Sequence, residues 1–262
     1  MENKNFVITE QNVNEYCNKI GIWIKEHIEV AKANGVVLGM SSGVDCSVVA
    51  RLCQNAGINT HLIIMPYGKD MENSKNYSHA MELINKFKFD YYIFDIKPAV
   101  DSLQIPNDSE IFKNANKSNI ELSKANIRPR IRMTYLYQYA QLKNLLVIGT
   151  SNLSERTVGY STKWGDGASD LNPLGMITKK EVYILAKYLG LPECIINKKP
   201  SADLWEGQTD EEELGIKYEK IDGYILNGTS GNEQIDNTIK IKNQRAMHKL
   251  NPIPIFNDGG VI

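Results

Sequence analysis

The sequence predicts an α/β fold, a doubly wound and mostly parallel five-stranded sheet flanked by helices. Short apolar runs alternate with stretches whose apolar residues recur at helical spacing, and β-α-β-α-β alternation of this kind builds parallel sheets with right-handed crossovers. The first apolar run also ends in a loop of small residues, Gly39-Met40-Ser41-Ser42-Gly43, and ligands of open parallel sheets sit at the carboxyl ends of strands.

In order along the chain, residues 10–34 place Val13, Cys17, Ile20, Ile24, Ile28 and Ala31 on one face, an amphipathic helix that Gly35 ends. Val36-Val37-Leu38 reads as the first strand, and Val44, Val48, Val49, Leu52 and Ala56 mark the helix after the small-residue loop. Past Gly57, residues 61–66 form a second buried strand, 70–88 a helix and 91–96 a third strand. Residues 97–125 are polar, with a cap-like Pro106-Asn107-Asp108, and read as a short surface helix. Arg128, Arg130 and Arg132 then stand at what reads as the start of a helix running through Tyr135, Tyr139 and Leu142. Cations are unfavourable near a helix N-terminus, so an anion nearby would resolve the conflict. Leu145–Ile148 is the fourth strand, closing at Gly149-Thr150. A helix over 178–189 stops at Gly190-Leu191-Pro192. The composition of 198–214 reads as a mobile loop, and helices over 216–227 and 232–250 precede an extended tail.

At 262 residues the chain can bury a full core, and no linker interrupts it, so one domain over 1–262 is expected. A net charge of −1 advertises no nucleic-acid partner; an anionic ligand must be held by locally placed cations. Cys17, Cys46, Cys53 and Cys194 form no CxxC pair and have no histidine at metal spacing, and read as reduced thiols. The polar N-terminus resembles no signal peptide and no apolar run approaches membrane length, which predicts a cytoplasmic protein without membrane association.

The loop at 39–46 carries the first chemical signal. A strand, a tight turn and a helix N-terminus aim unpaired backbone N–H groups and the positive end of a helix dipole at one spot, which suits a phosphate. No Lys-Ser/Thr follows the glycines, so it is not a Walker loop, and it is not G-x-G-x-x-G either. Asp45 lies inside the loop, where a carboxylate would repel a phosphate unless a divalent metal sat between them. That combination points to Mg-pyrophosphate. The competing reading is an ordinary strand-to-helix turn in which Ser and Asp cap the helix.

Ser41-Ser42-Gly43-Val44-Asp45-Cys46 resembles the S-G-G-x-D-S signature of the PP-loop ATP pyrophosphatases, with Ser42 in place of a Gly and Cys46 in place of the final Ser. Over nearly the whole chain the segments SSGVDCS, NIRPRIRM, GTSNLSE, GYSTKWGDGASDLNPL, TKKEV, KPSADLW and DEEELGIKY, with His248-Lys249, are similar to the ammonia-dependent NAD synthetases. The resemblance implies a Rossmann-like fold in which Gly39, Met40, Ser41, Ser42, Gly43, Val44, Asp45 and Cys46 cradle ATP. It implies ATP contacts from Thr150, Lys179 and Ser201, and Mg²⁺ held by Asp45 and Glu155. Catalysis would rest on Asp45, Glu155 and Lys179. Arg130, Lys163, Asp170, His248 and Lys249 would bind deamido-NAD, the last two reaching a partner subunit's site in a homodimer, and the stretch around 200–215 would close over the reactants.

The implied reaction is amidation of the nicotinate carboxylate with ammonia. ATP first turns a carboxylate oxygen into a leaving group as an acyl-adenylate, and ammonia then displaces AMP. Glutamine-using relatives carry a separate amidase domain, for which this length leaves no room, so free ammonia is the expected nitrogen source. Two alternatives stand beside this reading: another PP-loop adenylating ligase, and a nucleotide-binding protein that has lost catalysis.

Overall fold

The computed structural model describes residues 8–68, 74–106, 108–201 and 209–256. The described elements run α1 (Val13–Val30), β1 (Val36–Gly39), α2 (Val44–Asn55), β2 (Thr60–Ile64), α3 (Lys75–Phe87), β3 (Tyr91–Ile93), α4 (Lys97–Ser102), α5 (Glu110–Lys113) and α6 (Lys117–Lys143). They continue with β4 (Leu146–Val147), α7 (Leu153–Val158), α8 (Lys179–Tyr188), α9 (Glu193–Ile196), α10 (Asp210–Leu214), α11 (Tyr218–Asn227) and α12 (Glu233–Leu250). The strands pair in parallel in the order β3-β2-β1-β4. The expected fifth strand is absent among the described residues: beyond β4 there is a single parallel bridge between Ile148 and Leu171. Pro173 follows two residues later and has no amide to donate, so a ladder cannot be extended through it.

Alternation along the strands shows why helices cover both faces. Val36 and Leu38 of β1, with Leu62 and Ile64 of β2, pack into a core shared with Val48, Leu52 and Leu185 of α2 and α8. The intervening Val37 and Ile63 point the other way, onto Val100 of α4 and Ile131 and Tyr139 of α6. Side chains in a strand alternate faces, so a sheet buried on both sides needs these continuous apolar runs. A third core joins Val158 of α7, Leu214 of α10, Tyr218 and Ile221 of α11 and Ile239 of α12.

The stretches 97–125 and 198–214 also depart from the sequence reading, and the first, read as one short surface helix, holds α4, α5 and the first turns of α6. Helix α6 begins at Lys117, where the Asn116 side chain accepts a hydrogen bond from the Asn119 amide, and it carries Pro129 inside. Arg128, Arg130 and Arg132 are therefore mid-helix, and the expected clash between cations and a helix N-terminus does not arise. The proline and the polar run before it hid the first three turns, because a proline inside a helical pattern normally marks a helix end. In 198–214, read as a loop, Thr209 caps a short helix, α10, by accepting from the Glu212 amide. Residues 202–208, with Trp205, and Asn107 of the cap-like tripeptide lie outside the described residues.

Candidate active site

From β1 the chain winds through β2 to β3 on one side, while β4 lies on the other side of β1. The carboxyl ends of β1 and β4 thus bound the crevice at the switch in strand order, where doubly wound sheets place their ligands. A cavity of about 1160 Å³ opens there, and Asp45, Thr150, Glu155, Lys179, Ser201 and Lys249 all line it.

The loop after β1 is built for close backbone approach. Gly43 precedes α2 with an extended backbone, which leaves the first-turn amides of the helix without intrahelical partners. Ser42 adopts φ 62, in the left-handed region. Its side chain is fully buried and its hydroxyl has no hydrogen-bond partner. The Cys46 thiol turns back on the loop, donating to the Gly43 carbonyl at 3.2 Å and lying 3.3 Å from the Ser41 hydroxyl. Gly39, Met40, Ser41, Gly43, Val44 and Cys46 line the cavity with Asp45. Ser42 is the one residue of 39–46 that does not.

Lys179 is the electrostatic centre. Its ammonium donates to Asp45 Oδ2 at 2.6 Å and Glu155 Oε1 at 3.1 Å, with the three side chains only 3%, 14% and 15% exposed. Burial disfavours the Lys179 charge, but the Asp45 and Glu155 carboxylates overcome it and hold the ammonium protonated, above the ordinary lysine range. Burial pushes Glu155 up to about 7, against the pull of Lys179 and with the push of Asp45. The two carboxylates therefore converge on one positive charge. Each is held from behind: Asn152 donates its side-chain amide to Asp45 Oδ1 at 2.8 Å, and Asn152 and Glu155 form the capping box of α7. A second capping box, Thr178 with Glu181, starts α8 and fixes Lys179 in its first turn.

The residues expected to bind deamido-NAD lie differently. Lys249 lines the cavity and donates to the Gly159 and Ser161 carbonyls at 2.8 and 2.7 Å. A Cβ on Gly159 would come within 2.2 Å of the Ala246 Cβ, so α7 and α12 can pack closely enough for this contact only with glycine there. Arg130 donates to the Lys163 carbonyl at 3.3 Å, and the Lys163 ammonium is 3.5 Å from His248 Nδ1. This trio stands beside the cavity wall, whose lining includes the adjacent Pro129 and Thr162. Asp170 accepts from the Val147 amide at 2.8 Å and the Tyr137 hydroxyl at 3.2 Å, tying the segment after Ile148 to β4. Arg128 and Arg132, for which the sequence reading expected only an anion nearby, line the cavity instead.

Asn152, Asp210 and Tyr218 lie in segments that carry the resemblance, but the sequence reading gave none of them a place in the site. The Asn152-x-x-Glu155 spacing was readable as a capping box. Asp210 and Tyr218 approach Lys179 through the packing of α10 and α11, and no local pattern announces that.

This arrangement, a phosphate loop after β1 and a carboxylate pair closed on a lysine at the switch point, defines a nucleotide-binding α/β enzyme of the PP-loop kind. The family model described as NAD synthase matches residues 16–252. The chain is 42% identical to the NH(3)-dependent NAD(+) synthetase of Carboxydothermus hydrogenoformans, over 91% of this chain and 95% of that one. To that of Methanocaldococcus jannaschii it is 44% identical, over 94% and 89%. Among solved structures it is similar to an NMN synthetase from Francisella tularensis, with TM-score 0.83, 34% identity and coverage of 96% and 100%. It is likewise similar to the NH3-dependent NAD synthetase of Campylobacter jejuni, with TM-score 0.73, 32% identity and the same coverage. The chain belongs to the NAD synthase family.

Proposed function

We propose that this chain, as a single synthetase domain, amidates deamido-NAD with ammonia to give NAD, consuming ATP and releasing AMP and pyrophosphate. The observation that carries the reading is the Lys179 ammonium closed between Asp45 and Glu155 at the β1–β4 switch point, directly beside the phosphate loop. Attack of the nicotinate carboxylate on the ATP α-phosphate brings two anions together. The first-turn amides of α2 and the Lys179 charge offset that repulsion at a point where the lysine and both of its carboxylates are largely buried. Thr150 and Ser201 line the same cavity and are the further proposed ATP contacts. Arg130, Lys163, Asp170, His248 and Lys249 are the proposed dinucleotide contacts.

Asp45 and Glu155 fit Mg²⁺: both are hard oxygen donors that already converge on a cation, and Mg²⁺ in nucleotide sites takes one or two carboxylates and completes its shell with water and phosphate oxygens. When bound it would supply charge neutralisation at the pyrophosphate leaving group. We place the enzyme in the cytoplasm; no helix among the described residues is long and apolar enough to cross a membrane. A homodimer is the proposed assembly, supported by the exposed Leu103, Ile105, Ile111 and Leu122 in the α4–α6 stretch, apolar surface that a second copy would cover.

A second reading is favoured by one observation, the higher TM-score to the NMN synthetase: the carboxylate would then arrive on a mononucleotide. The test is to mix protein, ATP, Mg²⁺ and ammonium with either deamido-NAD or nicotinic acid mononucleotide and follow AMP and the amide product. NAD formation with the larger kcat/KM supports the first reading, and preferred NMN formation supports the second. Pyrophosphate release that ignores both acids points to another adenylating ligase, and ATP binding without turnover to a protein that has lost catalysis.

A further inference from the structure

Helix α11 lies behind the Lys179 site and touches it at two points one helical turn apart. At the first, the Tyr218 ring lies under the Lys179 ammonium, 4.9 Å from ring centroid to nitrogen. Its hydroxyl donates to Asp210 Oδ2 at 3.0 Å and stands 3.5 Å from Glu155 Oε1. At the second, Asp222 Oδ2 accepts the Lys180 amide at 2.9 Å, and Asp222 Oδ1 accepts the Ser154 hydroxyl, whose oxygen in turn accepts the Lys179 amide at 2.9 Å. Tyr218 and Asp222 are each only 5% exposed. Residues four apart on a helix share a face, so one face of α11 reaches both the backbone and the side-chain end of the same lysine.

We propose that Tyr218 and Asp222 are positioning residues that act through Lys179: Asp222, with Ser154, fixes where the lysine leaves α8, and Tyr218 fixes where its ammonium ends. The ring face attracts the cation, and the hydroxyl gives the neighbouring carboxylates a donor so that they do not compete to draw the ammonium off its line. This inference rests on the adenylation reading above. A lysine chain has four rotatable bonds, so packing alone around its stem does not set the position of its charge.

The test is Tyr218→Phe, which keeps the buried ring and removes only the hydroxyl. We expect kcat for pyrophosphate release to fall roughly tenfold, because a hydrogen bond to a charged group is lost. The KM for ATP should move less than about threefold, since the whole loop holds ground-state ATP. The melting temperature should fall by only about 2–4 °C, the cost of leaving Asp210 Oδ2 without that buried donor. On a Lys179→Arg background the same change should have little further effect, because residues that act through one another are not additive. Asp222→Asn should show the same kcat-weighted loss and the same non-additivity. A Tyr218→Phe protein with parental kcat, or a loss that adds in full on the Lys179→Arg background, overturns the proposal. The parent is assayed first: no pyrophosphate release from it removes the adenylation reading and this inference together, whereas a turning-over parent matched by Tyr218→Phe removes the positioning role alone.

Discussion

At Lys179 a buried ammonium is gripped by two carboxylates that Asn152 and a helix cap hold in turn, whereas Arg130, Lys163 and His248 meet one another on open surface. The first group keeps its charges where solvent screens them least, and its geometry is set before any ligand arrives. The second consists of long side chains in water, where ion contacts contribute little individually and salt weakens them. The contrast separates two tasks. Stabilising charge that develops during reaction needs preorganised groups, whereas recognising a dinucleotide tolerates groups that settle on contact.

The strongest challenge to that division is Asp45→Asn. The amide keeps an oxygen for Asn152 but removes one of the two charges on Lys179, so kcat should fall by about 10³-fold or more, a loss of the size seen when a preorganised electrostatic group is removed. Circular dichroism should show the fold intact, and parental activity would take Asp45 out of the site. A smaller change of a different kind is expected from Arg130→Ala: the KM for deamido-NAD should rise about tenfold with kcat within about threefold, and the difference should shrink at high salt. A kcat loss without a KM change would place Arg130 with the preorganised group and erase the division.

What the sequence makes legible follows the same line. The strand-loop-helix at 36–55 and the acid within it announce themselves because one short segment holds both the apolar period and the small residues of the turn. Lys179 and Glu155 were placed by resemblance, and the structure brings them to Asp45 from α8 and α7. Three features stayed hidden. Pro129 masked the first half of α6, since helix reading takes a proline as an end. The fifth strand reduced to one bridge, because strand length depends on backbone donors that hydropathy does not see. Tyr218 and Asp222 sit in a stretch that reads only as an ordinary helix over 216–227, and their role appears only once α11 is seated against α8.

The shifted carboxyl of Glu155 sharpens the comparison further, because a titrating group in the middle of the physiological range belongs to the buried set. Burial places it up to about 7, so in the metal-free protein it is increasingly protonated below that pH. A metal must displace that proton, so the apparent Mg²⁺ affinity should fall about tenfold per pH unit below 7 and level off above it. Titration calorimetry in buffers of different ionisation enthalpy would detect the released proton. An affinity constant from pH 6 to 8 would show that Glu155 is already ionised or is no metal ligand.

The smallest expected effect concerns Ser42, the one loop residue turned away from the cavity. An L-residue in the left-handed region costs about 1–2 kcal/mol, and a buried hydroxyl without a partner about 1–3 more. Ser42→Gly removes both and gives back about 0.5–1 kcal/mol through the greater freedom of glycine in the unfolded chain. The balance favours the glycine by about 1 kcal/mol or more, a rise of roughly 2–4 °C in melting temperature for a domain of this size. Because the Ser42 side chain does not line the cavity, the KM for ATP should stay within about twofold of the parent. A stabilised protein with unchanged kinetics would show that the loop carries its strain apart from its chemistry. A glycine variant that loses ATP affinity would show instead that the left-handed serine holds the cradle open, and would move Ser42 into the preorganised group.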